Sequence, residues 1–247
     1  MTVHSTLILN LYKAKVASGE LTYDAAQQRA VMALNTLSLQ LQTPVKWWQK
    51  TPNINGVYLY GPVGRGKSML MDLFYNNVPV VKKQRLHFHH FIAHVHSQLA
   101  ELQGHANPLT LIAKKWAKNI KVLCFDEFFV SDIGDAMIMA RLFKAMFEQG
   151  LVLVATSNAK PELLYSNGLQ RARFLPTIDL INNHCQIVNV AGEEDHRFRY
   201  GKNSRHYYIN LPSDDFKAIF MQAYSQVTFL DVITIHGRKL SYQLKAP

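Results

Sequence analysis

The sequence predicts an α/β fold built on a parallel sheet, and three observations predict it. Short apolar runs, "VYLY" (57–60), "KVLCF" (121–125) and "LVLVAT" (151–156), lack the polar alternation of a half-exposed strand. They therefore read as strands buried on both faces. Longer stretches with apolar residues at helical spacing separate them, so strand and helix alternate along the chain. A glycine-rich turn, "GPVGRGKS", joins the first of these strands directly to a helix.

Taken in order, residues 1–50 read as helical. A turn at Gly19 precedes Thr22, a residue type that caps helices, and Ala30, Leu34, Leu37 and Leu41 then recur on one face. "TPVKWWQKTPN" is a proline-bounded connector. The strand candidates follow: 57–60, "RLHFHHF" (85–91), 121–125, 151–156 and "QIVNV" (186–190). The clearest helix comes after Ser131, with Ala136, Met139, Phe143 and Met146 on one face and Gly150 as its closing cap. Past residue 200 the order is strand "YYINL", helix "SDDFKAIFMQAYSQV", and a hairpin around "HGRK". The expected division is a helical segment over 1–50, a nucleotide-binding core over 51–200 and a small strand–helix–hairpin extension over 201–247.

Composition narrows the function classes. The chain has 247 residues, 48% of them hydrophobic, enough for one sizeable core. No apolar run reaches the roughly 20 residues that span a bilayer. The apolar patch at Leu7–Leu9 has no basic residue before it, and the first arginine is Arg29, so neither a secretory signal nor a mitochondrial presequence is expected. The two cysteines, Cys124 and Cys185, form no CxxC pair, which argues against a zinc or disulfide scaffold and fits a reducing cytosol. The net charge of +10 admits two readings: a basic soluble surface, or an anionic partner such as nucleic acid, nucleotide or a membrane surface. Charge alone does not choose between them.

The motifs carry the chemistry. G-x-x-x-x-G-K-S between a strand and a helix is a phosphate-binding loop. Its glycines turn successive N–H groups toward a phosphate chain, and the helix that follows adds its positive end. The candidate nucleotide-binding residues are Gly61, Pro62, Val63, Gly64, Arg65, Gly66, Lys67, Ser68 and Met69. Lys67 would reach the β- and γ-phosphates, and Ser68 would hold Mg²⁺. A phosphate loop implies a nucleoside triphosphate without naming the reaction. "KVLCFDEF" narrows it: Asp126 ends an apolar strand and joins the Mg²⁺ shell, while Glu127 polarises an attacking water. That pair suits hydrolysis better than transfer to a small acceptor. "LVLVATSN" ends in Asn158, placed to hydrogen-bond the water or the γ-phosphate at the carboxyl end of a strand.

"HFHHFIAHVH" (87–96) holds five histidines. On a strand, His87 and His89 share one face while Leu86, Phe88 and His90 share the other. On a following helix, His90 and His94 stack one turn apart. His87 and His89 would supply two ligands where zinc takes three or four, and the nearest acidic residues along the chain are Asp72 and Glu101. A metal site is therefore not the leading reading.

"GVYLYGPVGRGKSMLMDLFY", "RLHFHHFIAHVHSQL", "LCFDEFFVSDIGDAMIMARLF" and "VATSNAKPELLYSNGLQRARFLPTIDLI" together resemble the ZapE cell-division ATPase family, the bacterial relatives of the mitochondrial AFG-one-like ATPases. The resemblance runs from the N-terminal helices to about residue 240. It implies a P-loop NTPase of AAA+ type with sheet order 5-1-4-3-2, ATP and Mg²⁺ as cofactors, and homo-oligomers whose subunits share ATP sites. It further implies a cytoplasmic protein at the division site, peripheral to the inner membrane and acting through the tubulin-like division-ring protein. By motif match Lys67 and Ser68 are the Walker A residues, Asp126 and Glu127 are Walker B, and Asn158 is sensor 1. An arginine finger is implied within "NGLQRARFLP", where the candidates are Arg171 and Arg173. Family members continue past the hairpin into a helical lid, whereas this sequence stops at Pro247, so the expectation is a fold without that lid. Two alternatives stay open beside the ATPase reading: a nucleic-acid accessory ATPase of helicase-loader type, motivated by the charge, and a nucleotide-dependent scaffold with little turnover.

Overall fold

In the computed structural model the five apolar runs become five strands of a single sheet. The structure describes residues 7–43 and 54–191, and the backbone of 232–235 and 238–241. The chain divides into two units, Met1–Arg199 and Tyr200–Pro247.

The strands of the first unit are β1 (Gly56–Tyr60), β2 (Lys83–His87), β3 (Val122–Asp126), β4 (Val152–Ser157) and β5 (Cys185–Asn189). They lie in the order β2-β3-β4-β1-β5, all parallel, which is 5-1-4-3-2 from the opposite edge. Successive residues face opposite ways along a strand, and both faces are covered. Val57, Leu59, Val122, Cys124, Val152 and Val154 enter one core with residues of α1 (Leu7–Ala17), α2 (Ala25–Gln42) and α3 (Lys67–Asn77). Tyr58, Leu123, Phe125, Leu153 and Ala155 enter the other with residues of α4 (Phe88–Glu101), α5 (Pro108–Asn119), α6 (Ile133–Glu148) and α7 (Leu175–His184). Burial on both sides explains why these strands read as unbroken apolar runs.

Two local expectations are corrected. The cap of the second helix is Asp24 and not Thr22: the Asp24 carboxylate accepts the N–H groups of Ala26 at 2.7 Å and Gln27 at 3.1 Å. An acidic side chain also meets the positive end of the helix there. The second strand ends at His87 instead of running to Phe91. Phe88, Phe91, Ile92 and Val95 recur at i, i+3, i+4 and i+7 and are all buried, so helix α4 begins at Phe88. His89 and His90 therefore sit on a helix, and the strand-face pairing of His87 with His89 does not apply. The helix after Ser131 is α6. Asp132 caps its start, and Gly150, at φ +75°, follows its end.

The second unit shows strands β6 (Val232–Ile235) and β7 (Arg238–Ser241), paired antiparallel with Ile235 opposite Arg238. "YYINL" and the helix expected after it lie outside the described residues. No helix among the described residues is long and apolar enough to cross a membrane.

Candidate nucleotide site

The carboxyl ends of β1, β3 and β4 bring the three motifs together. From β1 the chain enters residues 61–66, with Gly61, Gly64 and Gly66 at φ +154°, +84° and +78°. Gly66 is the N-cap of α3 and offers no capping side chain, so the first-turn N–H groups of the helix are not claimed by one. A Cβ at Gly66 would lie 2.9 Å from Gln27 Nε2, the movable end of a side chain, so it is the backbone angle that favours glycine there. Lys67 Nζ donates to the carbonyls of Gly61 at 2.5 Å and Pro62 at 2.7 Å, which ties the ammonium to the opposite limb of the loop. Ser68 follows on the first turn of α3 and is exposed.

Asp126 ends β3 and is 8% exposed. Both of its oxygens accept from Arg85 of β2, from Nε at 2.6 Å and NH2 at 3.1 Å. Arg85 NH1 also donates to Asp72 of α3. Burial alone would lower the guanidinium pKa, but the hydrogen bonds and charges of Asp126 and Asp72 outweigh it and raise the pKa above its ordinary value. Glu127 is exposed, with a left-handed backbone at φ +54°. Its N–H donates to Thr156 Oγ1 at 3.2 Å. Phe128 N–H donates to Thr156 O at 2.7 Å, Ser157 Oγ donates to Phe128 O at 2.8 Å, and Gly61 N–H donates to Ser157 O at 3.3 Å. The turns after β1 and β3 are thus hydrogen-bonded to the end of β4, immediately before the exposed Asn158.

Arg171 and Arg173 form one short 3₁₀ turn before α7. They differ in freedom. Arg171 NH2 donates to Glu162 O at 2.6 Å and its Nε is buried, whereas Arg173 is exposed and directs NH1 to Met137 Sδ at 3.6 Å.

The histidine run divides as well. His87, His89 and His90 gather at the β2–α4 junction, with ring centroids 4.0–6.1 Å apart, and His87 lies opposite Asp126 in the strand register. His96 instead pairs through Nε2 with Asp135 Oδ1 at 2.7 Å. No ring contact joins His90 to His94 among the described residues. No group of three or more His, Cys, Asp or Glu there is arranged to hold a metal ion.

The loop residues fit a phosphate chain. Arg65, inside the loop, buries Nε and NH1 without a hydrogen-bond partner, and an anion would satisfy such orphaned cationic donors. A hydroxyl at Ser68 and a carboxylate at Asp126 are the hard oxygen donors that Mg²⁺ takes. Both Asp126 oxygens accept from Arg85 and would help to hold the ion with their remaining lone pairs.

Two residues at the site escaped the sequence reading. Gln27, 3% exposed on α2, donates Nε2 to Arg65 O at 3.2 Å and accepts from Tyr12 OH at 3.4 Å. Arg85 is the other. The only trace of Gln27 in the sequence is a polar residue on a buried helix face. Arg85 leaves none.

A family model described as AFG1-like ATPase matches residues 6–241. The chain is 47% identical over 195 residues to Cell division protein ZapE of Escherichia coli K12, covering 77% of this chain and 52% of that protein. It is 41% identical over 206 residues to Lactation elevated protein 1 homolog B of Danio rerio, covering 75% of this chain and 41% of that protein. The chain thus spans about half the length of the curated relatives it matches. AMPPCP-bound DnaA from Aquifex aeolicus shares the fold, with a TM-score of 0.50 at 14% identity over 83% of this chain and 59% of that one.

Proposed function

We propose a function from one premise: the chain belongs to the AFG1-like ATPase family. The proposed activity is Mg²⁺-dependent binding and hydrolysis of ATP, used to act on a protein partner in bacterial cell division. The partner proposed is the tubulin-like division-ring protein, met in the cytoplasm at the division site. The observation that carries the activity is the bonding of the phosphate loop, the Asp126–Glu127 turn and the end of β4 into one edge of the sheet.

In this reading the loop N–H groups and Lys67 bind the phosphates. Ser68 and Asp126 would hold Mg²⁺, which when bound neutralises charge on the phosphate oxygens. Glu127 orients the attacking water and takes its proton, and Asn158 fixes the position of water or γ-phosphate. Of the two arginines, Arg173 is the better finger toward a neighbouring subunit, because its guanidinium is exposed while Arg171 is tied to Glu162.

Three variants test the roles. Glu127→Gln keeps the shape and removes the base, so nucleotide binding persists while turnover falls on the order of 10²-fold or more. Arg173→Ala lowers turnover by a factor on the order of 10³, with Arg171→Ala milder. A Glu127→Gln protein that no longer binds nucleotide contradicts the assignment, as does an Arg173→Ala protein with unchanged turnover.

A further inference from the structure

The positive charge of this chain is concentrated. Residues 73–125 contain seven lysines and arginines and one acidic residue, Glu101, within a chain of net charge +10. Arg85 is occupied by Asp126 and Asp72. The other six, Lys82, Lys83, Lys114, Lys115, Lys118 and Lys121, make no ion pair among the described residues. Lys82, Lys83 and Lys115 line the space between the entry to β2 and α5, whereas Lys121 Nζ donates to Gly150 O at 2.7 Å. Lys82 and Lys83 donate to main-chain carbonyls, of Lys118 at 3.0 Å and of Tyr75 at 2.5 Å, which fixes their position without a carboxylate partner; Lys83 also lies over the Tyr75 ring at 5.0 Å. A cleft of about 510 Å³ opens between these segments, lined by Lys82, Lys83, Gln84, Gln98, Lys115 and Asn119. Lys114 and Lys115 are exposed beside it, and Val81 at its rim is 98% exposed. The cleft belongs to a different part of the sheet from the phosphate loop: β2 is an edge strand, and β1 lies three positions away.

We infer that this lysine-lined cleft beside β2 docks an extended acidic segment of a partner protein. Two features favour a peptide over a nucleic acid. Single-strand nucleic-acid sites pair cations with aromatic rings on which bases stack. Trp116, the aromatic residue lining this cleft, is 8% exposed and its indole N–H is donated to Gln98 Oε1 at 3.2 Å. No strand pairs with the outer side of β2 among the described residues, so the edge offers main-chain groups to an extended chain. The side-chain amides of Gln84, Gln98 and Asn119 add neutral hydrogen bonds along the same path. The inference rests on the reading that this ATPase acts on a protein, and it places the contact away from the ATP site.

The test uses the full chain, a fluorescein-labelled peptide of ten glutamates, and a labelled oligo-dT of twenty nucleotides, followed by fluorescence polarisation from low to physiological salt. The peptide binds, and binding weakens as salt rises. Lys82→Glu with Lys115→Glu weakens it by about tenfold or more, the scale of losing two close charge pairs. Lys114→Glu with Lys115→Glu changes no side-chain hydrogen bond and has the same effect, which guards against misfolding of the first variant. Lys13→Glu with Lys144→Glu, on α1 and α6, changes net charge equally and leaves affinity within about twofold. Equal loss in that control, tighter binding of oligo-dT than of peptide, or no binding of either probe overturns the inference. ATP turnover of each variant without peptide is measured in parallel. Turnover at the wild-type level with peptide binding lost supports the docking site, whereas absent turnover in the wild type itself refutes the ATPase reading.

Discussion

Glu127, the proposed base, holds a backbone conformation that residues with side chains seldom adopt, at φ +54°. The strain is of order 1–2 kcal/mol. It is sustained by the bonds of its own N–H and that of Phe128 to Thr156, and by the packing of Phe128 against Phe88 at 4.5 Å and Phe143 at 5.9 Å. Glu127→Gly is therefore expected to stabilise the fold by up to about 1 kcal/mol, seen as a raised Tm, while abolishing turnover. Cys124 and Cys185 behave oppositely, as structural thiols. Burial pushes both up to about 12 from an ordinary value of 9.0. Folding favours the protonated thiol, so this stabilisation is complete below pH 9.0 and is lost as pH rises toward about 12. Neither thiol should react with iodoacetamide at pH 8 unless the protein is unfolded. At this scale the sequence was legible where a residue's role is set by its neighbours in the chain. Lys67, Asp126, Glu127 and Asn158 each stand in a recognisable string, and the structure sets all four at the carboxyl end of the sheet. Arg85 and Gln27 were not legible, because their partners Asp126 and Arg65 lie 41 and 38 positions away.

Among the elements, α2 and the β2–α4 junction bear most directly on the site. Through Gln27, α2 reaches the phosphate loop at the carbonyl of Arg65, which precedes the left-handed Gly66. Gln27→Leu strands that carbonyl and is expected to cost about 1–3 kcal/mol. It should also weaken binding of a nonhydrolysable ATP analogue. Tyr12→Phe removes the hydroxyl's bonds to Gln27 Oε1 and to the Asp24 main chain but leaves the Gln27–Arg65 contact in place, and should show a smaller loss of analogue binding. The junction turns on Phe88, which contacts Phe91, Phe125 and Phe128 with ring centroids 4.5–6.2 Å apart. Phe88→Ala should cost about 3–5 kcal/mol in urea denaturation. "RLHFHHF" misled as a strand because aromatic and alternating residues mimic that period over a few positions. The helical period of Phe88, Phe91, Ile92 and Val95 emerges only over the longer window. The histidines themselves follow from this boundary: three crowd at the junction, and His96 turns to Asp135, 39 positions away.

For the whole molecule, topology explains why the three motifs gather at one edge. In a parallel sheet every strand ends on the same side, so loops far apart in sequence converge without long excursions. The order β2-β3-β4-β1-β5 puts β4 between β1 and β3 and lets its end bond to the turns that follow both. That order could not be read from strand periodicity, which sets how many strands there are and not which ones are neighbours. It came with the family resemblance and is the order observed. The lysines at the entry to β2 and on α5 stand more than thirty positions apart in the chain, and it is the fold that sets Lys82, Lys83 and Lys115 around one cleft. The central claim is that this edge of the sheet hydrolyses ATP, and steady-state phosphate release with Mg²⁺ and ATP tests it most directly. The account predicts turnover by the wild-type chain and background release by Lys67→Ala. Equal release from the two would contradict it.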